Sequence, residues 1–318
     1  MAVNRAEIRS NPIKFIILAV SPIYLFTGPI PTSIQTSAVR INLRNTYRRF
    51  RIIQSDLIIG ILFCFILSTP FEKFFYLRDS TNVVDIILFG IFFEFYVYFN
   101  FAGYSMITWS FMRLFGLNVQ RNFNQPFSAV SLIDYWQRWH ISLSTVLKEL
   151  FFKRFRQRLS LYPTVIMVFF ASALWHGLKI NFLFWGLFHG TMWCFSHYLF
   201  LKKEKVLNYI LYIFAVIFGR VLFAESRAEL LCRKIQALID VKSWGFMSSI
   251  NYSILESILM FNLIFAILII ICEICIKVFN YSRGSYFYLK TPFLSVLITL
   301  YIILFITLSH TEPIYGIR

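Results

Sequence analysis

Apolar residues in this chain gather into blocks near bilayer-spanning length, separated by short polar stretches, rather than recurring at the spacing of a half-exposed helix. The blocks fall at 13–30, 57–69, 83–101, 161–178, 182–201, 206–223, 254–277 and 292–308, and predict about eight membrane helices. The first follows a polar start from Met1 to Asn11 that lacks a small-residue cleavage site, so the expectation is a retained span, not a signal peptide. The second is short and predicts either an extension through Phe71 and Tyr76 or a partly re-entrant course. There is no internal repeat and no low-complexity linker, so residues 1–318 read as a single membrane-embedded domain of an all-α polytopic protein.

One stretch is neither block nor simple loop. From Ser131 to Leu159, Trp136, His140, Leu143, Leu147 and Leu150 recur at helical spacing while Arg138, Lys148, Lys153 and Arg156 lie elsewhere, which predicts a helix lying in or near the interface. Asp134 with Arg138 and Glu149 with Lys153 are i,i+4 pairs in the favourable order. The segment 227–243 has similar amphipathic character.

Composition agrees with the blocks. Of 318 residues, 58% are apolar and 14% charged, against about 25% charged in soluble chains. Lys and Arg number 31 and Asp and Glu 15, a net charge of +16. Because the positive residues sit between apolar blocks, they fit loops beside an anionic leaflet and not a nucleic-acid surface. Arg40, Arg44, Arg48, Arg49 and Arg51, then Arg113 through Arg158, then Lys202, Lys203 and Lys205, then Arg283 and Lys290 all fall on one side if the spans alternate. That side is the cytoplasm by the positive-inside rule; Arg5, Arg9 and Lys14 are a mild exception. Cys64, Cys194, Cys272 and Cys275 lie within apolar blocks, so no disulfide framework is expected, and no Cys/His set has the spacing of a metal site.

A membrane enzyme keeps its reactive groups away from lipid, which directs attention to ionisable residues inside the blocks. Asp85, Glu94, Glu256 and Glu273 show no paired spacing for acid–base work and read as buried ion pairs or helix ends. Histidine is scarcer, with five in the chain. His176, between Trp175 and Gly177, is either a general base for a hydroxyl or a core histidine bonded to a carbonyl. His140 is open in the same way, between a functional group and a polar residue at headgroup level. His189 occupies the following span, and His197 and His310 read as span-end residues. No GxSxG, Walker loop, GxGxxG or HExxH occurs, so serine hydrolases, NTP-driven pumps and zinc enzymes have no support.

The ordered series NFNQPF at Asn122 to Phe127, YWQRWHISLS at Tyr135 to Ser144, ALWHG at Ala173 to Gly177 and LFWGLFHG at Leu183 to Gly190 resembles the membrane-bound O-acyltransferase family, in its bacterial branch of alginate O-acetylation and teichoic-acid D-alanylation proteins. The likeness is close over about residues 92–201, and Ser21 to Ile30 is similar to the family's earlier Gly-Pro-Ile signature. Family members carry several spans before that signature, so the resemblance implies a shortened N-terminal side. Met106 after Gly103-Tyr104-Ser105 resembles the D-alanyl branch, while Phe188-His189-Gly190 resembles the alginate branch; Lys148-Glu149 stands where alginate-type members have Arg-Asp.

The resemblance implies a tunnelled enzyme in the cytoplasmic (inner) membrane that passes an acyl group from a cytoplasmic thioester to a hydroxyl on the other side. It implies His176 as catalytic base and His140 as a second catalytic residue, with Trp175, Trp139, Asn124 and His189 shaping the tunnel. No bound cofactor or metal is expected. Acetyl-CoA is the expected donor, an envelope polysaccharide the acceptor, and an outer-face relay protein the partner. D-alanyl transfer from a carrier-protein thioester is the alternative, and an inactive membrane scaffold or channel is an alternative of another class.

Overall fold

A computed structural model describes residues 35–36, 43–114, 117–118, 120–240, 244 and 257–276. Helix α1 (Leu43–Ile61) continues through a π-helical stretch, Leu62–Leu67, into a short turn at Thr69–Glu72. Helix α2 is Val83–Leu114, the short α3 and α4 are Leu132–Arg138 and Ile141–Leu147, and α5 is Leu161–His176. Then follow α6 (Ile180–Leu201), α7 (Lys205–Ala224), α8 (Ala228–Ile239) and α9 (Ser257–Ile276). A two-residue antiparallel pairing sets Gln35 opposite Asn118 and Thr36 opposite Leu117.

Six of the apolar blocks fall on described residues, the one at 254–277 in part, and are helical there; the blocks at 13–30 and 292–308 lie outside them. Among the described residues, Ile53–Glu72, Val83–Leu114 and Lys205–Ala224 are long and apolar enough to cross a membrane, and Leu161–His176 and Met260–Cys275 are shorter apolar helices. Helix α6 has 22 residues, its hydropathy diluted by tryptophan, histidine and glycine.

Helix α2 runs well past the expected end at Phe101, to Leu114. Its second half carries Gly103, Ser105, Thr108 and Ser110, which read as polar in sequence yet are all buried. Small residues let two membrane helices approach closely. A Cβ added to Gly103 would lie 2.5 Å from the backbone nitrogen of Cys64 and 2.7 Å from the carbonyl oxygen of Gly60 on α1.

The aromatic core lies between α1, α2, the 122–139 segment, α7 and α9, and includes Phe63, Phe71, Tyr98, Phe99, Phe127 and Tyr135. Tyr98 is fully buried, and its hydroxyl donates to the carboxylate of Glu273 on α9. A second buried carboxylate, Glu94 on α2, accepts from Nε of Arg220 on α7 and, at 2.8 Å, from the Tyr135 hydroxyl on α3. One ion pair with its tyrosine therefore joins three helices. The reading of Glu94 as half of a buried pair holds, and Asp85 sits in the first turn of α2, accepting from Ser80 Oγ at 2.8 Å.

At one end of the bundle Arg227 donates to Asp79 at 2.6 Å, and Lys234 on α8 donates to Glu225 at 2.9 Å and to the carbonyl of Arg78. Burial alone would raise the Glu225 carboxyl, but the hydrogen bonds from Arg227 and Lys234 hold it down at about 2. These contacts put the 73–82 connection and α8 at the same end. Alternation of the spans then sets Arg113, Arg121, Lys153, Arg154 and Lys202 at the other, the basic end.

The close crossing of α1 and α2 predicts that Gly103→Ala destabilises the protein by about 1–3 kcal/mol through overpacking. Thermal unfolding in detergent checks this: the midpoint should fall, whereas an unchanged midpoint would mean that the helices separate without cost.

Candidate active site

The expected continuous helix over 131–159 is broken. Helix α3 starts at Ser131, whose hydroxyl accepts from the Asp134 amide at 3.1 Å, and Asp134 accepts from Arg138 Nε at 2.7 Å. Arg138 also holds the preceding loop, donating to Ser128 Oγ at 3.0 Å and to the Asn124 carbonyl at 3.2 Å. The chain then turns at Trp139 and His140. His140 has φ 44° and ψ 53°, a left-handed conformation that costs a non-glycine residue about 1–2 kcal/mol.

The turn is over-determined from outside. Asn122 accepts at its carbonyl from the Ile141 amide at 2.9 Å, and its side-chain oxygen accepts from Ser142 Oγ at 2.5 Å, so a buried asparagine caps the start of α4. The helix is broken, yet Trp136, His140, Leu143 and Leu147, expected on one face, still line one cavity, together with Trp139.

His140 is 7% exposed, edge-on to Phe101 at 4.7 Å and to Trp175 at 5.7 Å. Its Nδ1 is buried and makes no hydrogen bond among the described residues. A buried ring nitrogen without a partner is costly unless something else meets it.

His176 is the last residue of α5, which ends where Gly177 takes φ 143°. The ring is half-buried and set edge-on to Trp175 at 4.8 Å, Phe223 at 5.0 Å and Trp185 at 5.3 Å. Among the described residues nothing hydrogen-bonds it, so the carbonyl-bonded core histidine is not what the structure contains. Trp175 touches both rings and is the link between His140 and His176.

Both histidines line a cavity of about 810 Å³ that reaches from Lys148 and Phe152, toward the basic end, to His176 and Phe223 near the opposite end. Trp139 and Trp175 also line it. Asn124 does not: it is exposed, its backbone tied to Arg138. His189 is 3% exposed and sits behind Trp136 and Trp185, which themselves line the cavity. His197 pairs with the Tyr162 hydroxyl at 3.3 Å and stacks on Trp193.

Two residues of the site were not singled out from sequence. Asn122 shares its motif with Asn124, and nothing in the motif says which of the two caps α4. Arg220 carried a usable signal: an arginine in the middle of an apolar span is a functional position by default. It lines the cavity, and its guanidinium lies over the Trp139 ring at 4.6 Å. Among the described residues there is no group of three or more His, Cys, Asp or Glu placed to hold a metal ion.

Residues 15–202 match the family model described as MBOAT, membrane-bound O-acyltransferase family. The chain is 30% identical over 182 residues to the probable alginate O-acetylase AlgI of Azotobacter vinelandii, covering 55% of this chain and 36% of that protein. It is 37% identical over 103 residues to the peptidoglycan O-acetyltransferase of Helicobacter pylori, covering 31% and 19%. It is 27% identical over 156 residues to the teichoic acid D-alanyltransferase of Bacillus subtilis, covering 44% and 40%. Each match spans less than half of the relative's own length.

Behind the cavity wall, a Cβ on Gly219 would lie 2.1 Å from Nε2 of His189. Gly219→Ala should therefore lower the thermal midpoint, and adding His189→Ala should recover part of the loss, a coupling of about 0.5–3 kcal/mol. Strictly additive losses in the double-mutant cycle would contradict the contact.

Proposed function

The chain belongs to the membrane-bound O-acyltransferase family, and on that premise we propose that it transfers an acyl group from a cytoplasmic thioester to a hydroxyl of a cell-envelope polymer or partner protein. The observation that carries this reading is the single cavity on which His140 and His176 both open, joined by Trp175. A thioester is already activated, so the chain has two tasks: to align donor and acceptor and to remove the hydroxyl proton.

In this reading His176 is the general base. The acceptor oxygen attacks the thioester carbonyl carbon while its proton passes to a ring nitrogen of His176, and the carbonyl electron pair moves onto oxygen. When that intermediate collapses the carbon–sulfur bond breaks, the thiolate takes the proton from His176, and an ester and a free thiol remain. His140, on the same cavity as Lys148 at its basic side, assists on the donor side, with its ring orientation fixed by the left-handed turn. The donor enters from the basic end, which the positive-inside rule assigns to the cytoplasm of an inner-membrane protein, and the acceptor arrives at the other.

The likeness to two O-acetyltransferases supports acetyl as the group moved and an envelope polysaccharide as the acceptor; the proposal completes this with acetyl-CoA as the donor and an outer-face relay protein as the partner. D-alanyl transfer from a carrier-protein thioester is the second reading. It is favoured by the Bacillus subtilis relative and by Met106, which is buried next to Ser105 in the core of α2.

Membranes containing the chain and labelled acetyl-CoA test the proposal. Transfer to an envelope glycan or protein is expected, and His176→Ala should lower it about a hundredfold or more, with a large loss also for His140→Ala. A folded His176→Ala variant that transfers at the unsubstituted rate would rule out His176 as the base, and a folded unsubstituted chain that transfers nothing from either donor would point to a scaffold. Transfer seen only from a carrier-bound D-alanine would establish the second reading.

A further inference from the structure

Arg220 is held more elaborately than an ion pair requires. Its Nε donates to Glu94, and its Nη2 lies 3.3 Å from the Tyr135 hydroxyl, which itself donates to the other oxygen of Glu94. Two of its nitrogens are thereby fixed, the ring of Trp139 covers one face at 4.6 Å, and Nη1 makes no hydrogen bond among the described residues. The side chain nonetheless lines the cavity. Phe223, one turn further along α7 on the same face, touches the ring of His176, and Trp139 adjoins His140. The guanidinium therefore stands on the cavity wall between the two histidines.

We propose that Arg220 is a further catalytic residue, whose guanidinium stabilises the oxyanion formed when the acceptor hydroxyl attacks the thioester carbonyl. This rests on the acyltransferase reading above. A donor aimed in advance at developing charge, in a site with little water, needs no reorganisation during reaction, and loss of one such donor from an acyl-transfer site costs about 10²–10³ in kcat. Arg220 takes no proton: the N–H hydrogen-bonds to the oxyanion while it exists, and is released when the carbon–sulfur bond breaks and the carbonyl re-forms. The Glu94 carboxylate and Tyr135 hydroxyl act through Arg220 as positioning groups, which accounts for a buried charge pair placed against the reaction cavity.

Acetyl transfer should be measured for the full chain and for Arg220→Lys and Arg220→Gln, with thermal midpoints taken on the same preparations. Lysine keeps a charge for Glu94 but loses the planar fork. Arg220→Lys is expected to fold, to keep the donor KM within about threefold, and to lose kcat about tenfold or more; a folded Arg220→Gln should lose about a hundredfold. Tyr135→Phe, which loosens the same anchor but leaves the guanidinium, should keep kcat within about tenfold. A purely structural arginine would move midpoint and KM together. The proposal is overturned if folded Arg220→Lys keeps its kcat, or if KM rises while kcat stays. Absence of transfer by the unsubstituted chain would instead defeat the acyltransferase reading and this proposal with it.

Discussion

A carboxylate and a guanidinium face each other inside a body solvated by lipid, and the geometry of the whole site depends on that pair. Removing either charge from water costs several kcal/mol, and taking away one partner leaves the other stranded, at about 3–5 kcal/mol. Glu94 is 2% exposed and Arg220 7%. Such a pair needs its hydrogen bonds made, and the Tyr135 hydroxyl adds one to each partner, so that among the described residues Nη1 of Arg220 is left without one. Helices α2, α3 and α7 are thereby locked in register, because sliding any of them would leave a charge unpaired.

From that lock the site follows. Tyr135 stacks on Trp139 at 5.4 Å, Trp139 covers Arg220, and the chain must then turn sharply to begin α4, which places His140 in a left-handed conformation held by Asn122. On the other wall, α5 ends at Gly177 and leaves the His176 ring among Trp175, Trp185 and Phe223. Neither ring has a hydrogen-bond partner to neutralise it among the described residues, which suits a base that must meet its substrate. The aromatic walls offer flat surfaces drawn from distant parts of the sequence, on which the proposed reaction would align its two substrates.

Much of this was legible in the chain. Among the described residues six of the nine helices, α1, α2, α5, α6, α7 and α9, follow from apolar blocks, because lipid demands internal satisfaction of every backbone group. Trp139, Trp175, His140 and His176 were marked by their motifs and do meet at one cavity. The illegible parts have tertiary causes. Helix α2 extends past Phe101 because glycine and hydroxyl residues there pack against α1 instead of meeting water. The break at His140 is invisible to periodicity, since it is imposed by Asn122, Ser142 and the packing of Trp139, and not by a glycine or proline. Asn124 carries the motif but turns outward, while His189 serves the wall from behind. Arg220 was legible in principle, as an arginine in the middle of an apolar span, whereas its partners Glu94 and Tyr135 lie far from it in sequence.

In the proposed function a thioester donor occupies the cavity on which both histidines open. A photoreactive acyl thioester, cross-linked to the chain in membranes and mapped by mass spectrometry, tests it most directly. Adducts are expected within 136–148 and 165–176, suppressed by excess unlabelled donor. Adducts confined to lipid-facing positions such as Phe214 or Ile264, and indifferent to competitor, would contradict it.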